Sequence, residues 1–199
     1  MKYHVIAIDC DDVLVGTAPL VINNYNETYG THLELQDMYS NNSTQWNAYY
    51  ATAIARVEAY LESDEYRTTV PFHDAIETVQ TLAKHYELHM VTGRTQLLEA
   101  ATTEMLQKYF PNLFKSLEFT GLHDGVRRSK SDVCRQLNVD LFIDDHLGHA
   151  LPVAASGIDV LLFGEYPWSQ TTEPLPDNIR RVRDWNDVAQ VLLTDRPDV

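Results

Sequence analysis

The feature that most constrains this chain is a four-residue apolar run, Val5–Ile8, that stops on two acids spaced by one residue, Asp9-Cys10-Asp11. A short apolar run closed by charge reads as a strand buried on both faces, as in parallel sheets. Two further runs end the same way: residues 88–91 open into Thr92-Gly93-Arg94, and residues 141–143 into Asp144-Asp145. Helical spacing fills the intervals. Ala75, Ile76, Val79, Leu82 and Ala83 mark one helix, and Leu97, Leu98, Ala101, Met105 and Leu106 a second that Pro111 stops. Val133 and Leu137 mark a third, short one. Short strands at 117–120 and 160–163 and a late helix near Trp185–Leu193 complete the pattern. Alternating strands and helices predict an α/β fold with a doubly wound, mostly parallel sheet.

Residues 16–70 break that alternation, and they are long for a connection. Thr17 reads as a helix cap with Pro19 in the first turn, Leu20, Val21, Tyr25 and Tyr29 as one helix face, and Gly30 as its stop. A polar stretch, 31–45, leads to the strongest helical stripe: Trp46, Tyr49, Tyr50, Ala53, Ile54, Val57, Tyr60 and Leu61, capped by Ser43 or Thr44. It reads as packing core, with its tyrosines the alternative candidates for stacking on a base, and Ser63-Asp64-Glu65 breaks it. The expected organisation is a core of residues 1–15 and 71–199 with a small helical cap, 16–70, inserted after the first strand. Glu58, Glu62, Asp64 and Glu65 read as a solvated face.

Fifteen Lys and Arg stand against 29 Asp and Glu among 199 residues, a formal net charge of −14. That balance argues against a nucleic-acid polymer, since no cation excess exists to displace its counterions. It leaves room for a small phosphorylated metabolite, because a divalent cation reverses the local field of an acidic site. Two cysteines make a disulfide scaffold an unsuitable reading and point to a reducing compartment, the cytoplasm. The start, Met1-Lys2-Tyr3-His4, shows no signal-peptide pattern, and no stretch approaches the apolar length of a membrane span.

Carboxyl ends of parallel strands share one edge, where ligands bind. Asp9, Asp11, Thr92, Gly93, Asp144 and Asp145 should therefore converge, and Lys130, one short helix before residues 141–143, reaches the same edge. Crowded carboxylates repel one another unless a cation sits among them. These are hard oxygen ligands without zinc-type Cys/His spacing, which favours Mg²⁺. A carboxylate can attack phosphorus, a second one two residues on can move a proton, and a lysine and a hydroxyl can hold the phosphoryl oxygens. Other readings stand beside these. Asp9 and Asp11 taken singly are ordinary strand-end acids, and Thr92 an ordinary turn residue. Lys130 has Arg127 and Arg128 as close rivals. Cys10 packs rather than reacts. His146 and His149 read as structural neighbours of Asp145, with transition-metal binding the alternative.

The four segments Asp9-Cys10-Asp11-Asp12-Val13-Leu14, Val91-Thr92-Gly93-Arg94, Lys130 and Leu141-Phe142-Ile143-Asp144-Asp145 resemble, in order, the four motifs of the haloacid dehalogenase (HAD) superfamily. The resemblance implies a phosphatase with Asp9 as nucleophile and metal ligand, and Asp11 as general acid/base with its carbonyl on Mg²⁺. Thr92 and the Gly93 amide would bind phosphate, and Lys130 would neutralise nucleophile and phosphate. Asp145 would be the better metal ligand of its pair, with Asp144 a second ligand or a support. The helical insertion resembles the family's first cap type. Ile143-Asp144-Asp145, Phe119-Thr120-Gly121 and Leu162-Phe163 leading to Tyr166-Pro167-Trp168 most resemble the 5′(3′)-deoxyribonucleotidase-like group, which implies a 5′-nucleotidase acting on (deoxy)nucleoside monophosphates. Asp12 departs from the pattern, standing where many relatives have Gly; its charge either alters metal affinity or faces solvent. The alternatives are a phosphatase or phosphomutase for a sugar phosphate, a phospho-accepting receiver-like switch, and a degenerate binding module. The receiver reading is disfavoured because Lys130 precedes the acidic-pair strand. A monomer or a homodimer fits, the aromatic stripe being a candidate dimer surface.

Overall fold

The computed structural model describes residues 3–122 and 125–194. The expectations for Met1-Lys2 and for the last residues of the 71–199 segment lie outside the described residues. Among those described, six strands form one sheet in the order β3-β2-β1-β4-β5-β6, every neighbouring pair parallel. The strands are β1 (Val5–Ile8), β2 (Glu87–Thr92), β3 (Ser116–Phe119), β4 (Leu141–Asp144), β5 (Asp159–Phe163) and β6 (Ile179–Val182). The helices are α1 (Thr17–Tyr29), α2 (Tyr50–Leu61), α3 (Asp64–Arg67), α4 (His73–Leu82), α5 (Glu99–Tyr109), α6 (Lys130–Gln136), α7 (Leu147–Ala155) and α8 (Trp185–Leu193).

Period-two alternation divides the apolar side chains between two layers. Ile6 and Ile8 of β1 join Leu88, Met90, Leu141 and Ile143 against α4, α5 and α8 on one face. Ala7 joins Val91, Phe142, Val160 and Leu162 against α6 and α7 on the other. Both faces of the sheet are thus covered, as its continuous apolar strands require. Trp185 is fully buried and its indole N–H donates to Val13 O at 2.8 Å, tying α8 to the loop after β1. Trp185→Ala is expected to cost about 3–5 kcal/mol in urea unfolding; a loss below about 1 kcal/mol would contradict this packing.

The helices between β1 and α4 carry a separate apolar cluster of Ile22, Tyr25, Leu33, Trp46 and Ala53. The structure departs from sequence expectation in three places, two of them in this segment. Thr17 does not cap α1: the cap position is Gly16, and it is the Asp12 carboxylate that accepts the Ala18 N–H at 3.0 Å. The aromatic stripe is not one helix. Tyr49 is extended, α2 starts at Tyr50, and Trp46 sits in a preceding turn with its indole N–H on Asp37 O. Trp46 and Ala53 are buried, but Tyr49, Tyr50 and Ile54 are exposed, so the stripe is core only in part. The helical stripe does break at Ser63-Asp64-Glu65, and the same residues start the next helix, with Ser63 Oγ accepting the Tyr66 N–H at 3.2 Å. Finally, β6 was not foreseen; its sequence Ile-Arg-Arg-Val buries only its two ends. No helix among the described residues is long and apolar enough to cross a membrane.

Candidate active site

The chain runs from β1 outward to β2 and β3, then returns to β4 and continues to β5 and β6 on the other side. Strand order therefore reverses between β1 and β4, and a crevice opens beyond their carboxyl ends. Asp9 is the residue after β1, and its N–H donates to Ile143 O at 2.9 Å. That bond holds its side chain beside Asp144, the last residue of β4. Lys130 opens α6, whose cap Ser129 accepts the Asp132 N–H at 3.0 Å. From there the Lys130 ammonium lies 2.6 Å from Asp9 Oδ2 and 2.7 Å from Asp144 Oδ2, and all three residues are buried.

Burial dominates the electrostatics. It pushes Asp9 up to about 6, with Lys130 pulling the other way and Asp144 and Asp11 adding to the rise. Burial also opposes ionisation of Asp144, but Lys130 and His149 outweigh it and hold that carboxyl below its usual range. For Lys130, burial acts against the charge and Asp144 and Asp9 overcome it, raising the ammonium's pKa. Asp145 has no such cation among the described residues: burial, then Asp144 and Asp9, raise it well above its ordinary value. Its Oδ2 accepts the Trp168 indole N–H at 2.5 Å.

Two atoms in this cluster stand out physically: His149 Nδ1, buried without a hydrogen-bond partner among the described residues, and an oxygen of Asp9. Asp9 Oδ1 is buried and has no hydrogen-bond partner among the described residues. Asp9, Asp144 and His149 bring ligand atoms within 4.8 Å of one another. A buried carboxylate oxygen without a donor, set among further carboxylates, suits a hard divalent cation.

Thr92 ends β2, fully buried, its hydroxyl accepting the Arg94 N–H at 3.2 Å. Gly93 lies against the Lys130 stem, where an added Cβ would be 4.0 Å from Lys130 Cε. Gly121 is required by close approach: a Cβ there would lie 2.4 Å from Arg94 O and 2.5 Å from Gly93 O. So the turn after β3 braces the turn after β2.

Asp11 shares the strand end with Asp9, but its carboxylate is turned to Arg94 and Thr17. Burial opposes its ionisation and Arg94 outweighs it, so its pKa falls. Asp12 is neither exposed nor turned to Lys130. It is buried at φ 57°, caps α1, and burial lifts it to about 7. Cys10 is fully buried in the apolar core, and burial pushes its thiol up. His146 caps α7 by accepting the Gly148 N–H at 2.9 Å, and its ring lies 4.8 Å from that of His149.

The sequence places Arg94 at a strand end on the converging edge and Trp168 in an aromatic segment but gives neither a role, and it does not single out Tyr66 or Tyr39. Tyr166 and Trp168 stack with centroids 4.8 Å apart, and Tyr39 meets the Trp168 and His146 rings edge-on at 5.1 and 4.9 Å. These rings form an aromatic rim beside Asp145. Tyr39 also lines a cleft of about 210 Å³ with Met38, Trp46, Tyr50, Ile54 and Val57.

No protein-family model matches the chain. It is 33% identical over 115 residues to a nucleotidase of Clostridium acetobutylicum, a match covering 58% of this chain and 55% of that protein. It is 29% identical over 126 residues to YqfW of Bacillus subtilis, a candidate nucleotidase, covering 63% of this chain and 61% of the other. The chain thus spans under two thirds of the length of either curated relative. Among solved structures it resembles YfnB of Bacillus subtilis, a candidate HAD hydrolase solved with magnesium bound. The TM-score is 0.63 at 12% identity, over 97% of this chain and all of the other. A six-stranded parallel sheet with this likeness gives the chain the fold of the haloacid dehalogenase-like hydrolases.

Proposed function

We propose that the chain is a Mg²⁺-dependent phosphomonoester hydrolase that works through an aspartyl-phosphate on Asp9, with nucleoside monophosphates as substrates. The observation that carries this reading is Asp9 itself. One of its oxygens is held by Lys130, and the other is buried without a donor among the described residues, at the sheet's switch point. Asp9, Asp145, the Asp11 carbonyl and Asp144 would hold the cation. Asp145 suits this better than Asp144, whose oxygens already accept from Lys130 and from the His146 N–H. When bound, Mg²⁺ supplies charge neutralisation to the phosphoryl oxygens.

Asp9 attacks phosphorus, forming its bond to Oδ as the bond to the leaving oxygen breaks. Asp11, which must take up a proton against the pull of Arg94 before this step, gives it to that oxygen and is left as carboxylate. Asp11 then takes a proton from water as the water oxygen bonds to phosphorus and the Asp9–phosphorus bond breaks, which regenerates both residues. Lys130, the Thr92 hydroxyl and the Gly93 N–H hold the phosphoryl oxygens throughout. The nucleotide preference is supported by the two curated relatives named as nucleotidases and by the aromatic rim and cleft that share Tyr39, a surface suited to a planar base.

The test is phosphate release from nucleoside monophosphates and sugar phosphates with and without Mg²⁺. Metal-dependent release fastest on deoxynucleotides is expected. Release from sugar phosphates alone would keep the chemistry and overturn the substrate class, and no release from any monophosphate would overturn the function.

A further inference from the structure

Asp11 is gripped unequally. Its Oδ1 accepts from Thr17 Oγ1 at 2.5 Å, Arg94 Nη2 at 2.7 Å and Arg94 Nε at 3.2 Å, with Tyr66 OH at 3.5 Å. Its Oδ2 accepts from Arg94 Nε alone among the described residues, at 3.0 Å. A carboxylate oxygen offers about two lone-pair sites, so Oδ1 is saturated and Oδ2 is not.

Arg94 is itself committed. It is 7% exposed, and beyond Asp11 its Nη1 donates to Thr102 Oγ1 at 2.8 Å and its Nη2 to Tyr66 OH at 2.7 Å. Thr102 Oγ1 in turn donates to Leu98 O at 2.7 Å, which leaves its lone pairs to the guanidinium. Each nitrogen of the guanidinium is thus engaged by at least one protein acceptor. Tyr66 comes from α3, in the segment between β1 and α4, and its hydroxyl shares a hydrogen bond of 2.7 Å with Thr17 Oγ1. The Thr17 proton is spent on Asp11, so Tyr66 is the donor in that bond. The chain of contacts Tyr66–Thr17–Asp11 and Tyr66–Arg94–Asp11 therefore closes on one oxygen.

We infer that Arg94 is the positioning residue of the acid/base step, anchoring Asp11 by Oδ1 so that Oδ2 transfers the proton, and that Tyr66 ties the inserted helices to this anchor. The inference rests on the proposed phosphatase reading. In the first half-reaction the Asp11 Oδ2–H bond breaks and an O–H bond forms on the departing alcohol as its bond to phosphorus breaks. An alkoxide leaving group needs that proton and p-nitrophenolate does not. Misaligning Oδ2 should therefore separate the two substrates, whereas general damage to the site should slow both alike.

The experiment compares wild type, Arg94→Met and Tyr66→Phe on a nucleoside monophosphate and on p-nitrophenyl phosphate, by rapid mixing. In Arg94→Met, turnover of the nucleotide is expected to fall about 10²-fold or more. Release of p-nitrophenolate should keep a fast burst of about one equivalent per enzyme, followed by slow turnover, because water activation also needs Oδ2. Tyr66→Phe, which removes one hydroxyl, should lower nucleotide turnover relative to the p-nitrophenolate burst rate several-fold, in the same direction as Arg94→Met, and it decides the matter if Arg94→Met does not fold. Parallel losses on both substrates, with no burst, would overturn the positioning role while leaving the hydrolase reading intact. A wild type that releases phosphate from neither substrate would instead overturn the hydrolase reading, and the inference with it.

Discussion

Asp9→Asn is expected to lower phosphate release by roughly 10⁵-fold or more, the scale on which removing a nucleophile collapses covalent catalysis, while the fold persists. The amide occupies the carboxylate's volume and presents its carbonyl oxygen to Lys130, which keeps its bond to Asp144 at 2.7 Å. The substitution also removes one negative charge from a cluster in which burial and crowding push Asp9 and Asp145 upward. Without Mg²⁺ the melting temperature should therefore hold or rise, as at sites where function is bought with stability. With Mg²⁺ the variant should gain less than wild type, because one ligand oxygen has lost its charge. Circular dichroism, melting with and without Mg²⁺, and phosphate release test all three expectations. Turnover within tenfold of wild type would remove Asp9 from the nucleophile role.

The strand ends were legible because two simple signals coincide there. Apolar runs too short for helices stop on charged or small residues, and parallel sheets gather such ends along one edge. Lys130 was legible by order alone: it opens a short helix directly before β4, and the structure uses that geometry to bridge Asp9 and Asp144. What escaped was decided by three-dimensional neighbours. Tyr66 sits on a four-residue helix among acids that read as a breaker, and nothing in its spacing shows that it reaches Arg94. Asp12 read as a charge that alters metal affinity or faces solvent because a positive φ is invisible in sequence; at φ 57° its carboxylate swings back to cap α1. Trp168 was noticed as part of an aromatic segment, but its hydrogen bond to Asp145 depends on the turn after β5. The stripe from Trp46 to Leu61 kept helical period across a turn, so periodicity overran the true start at Tyr50.

Lys130→Met should be the most destabilising change at the site. The side chain is 3% exposed, and its ammonium faces two buried carboxylates, with Phe142 beneath it at 5.6 Å. Methionine keeps much of the stem's packing, so the loss isolates the charge. Removing one partner of a buried ion pair costs about 3–5 kcal/mol, and here one cation serves two anions. The pH dependence follows from the shifts. In wild type the raised Lys130 and the depressed Asp144 both contribute at neutral pH: the lysine's share is lost only as pH rises through its elevated pKa, and the aspartate's only as pH falls below the ordinary carboxylate range. Without the ammonium, burial governs both carboxyls and raises them. The folded variant then binds more protons than the unfolded chain, so its stability climbs as pH falls from neutral toward 5. Mg²⁺ should narrow the deficit at neutral pH by supplying the missing positive charge, while turnover stays at least about 10³-fold down because no ammonium steadies the transferring phosphoryl group. Urea unfolding at pH 7.5 and 5.5, each with and without Mg²⁺, reads every part of this. Equal stability of the two proteins at pH 7.5 without metal would show that Lys130 does not bridge Asp9 and Asp144. A deficit that widens on acidification would show that the two carboxyls keep their charge without it.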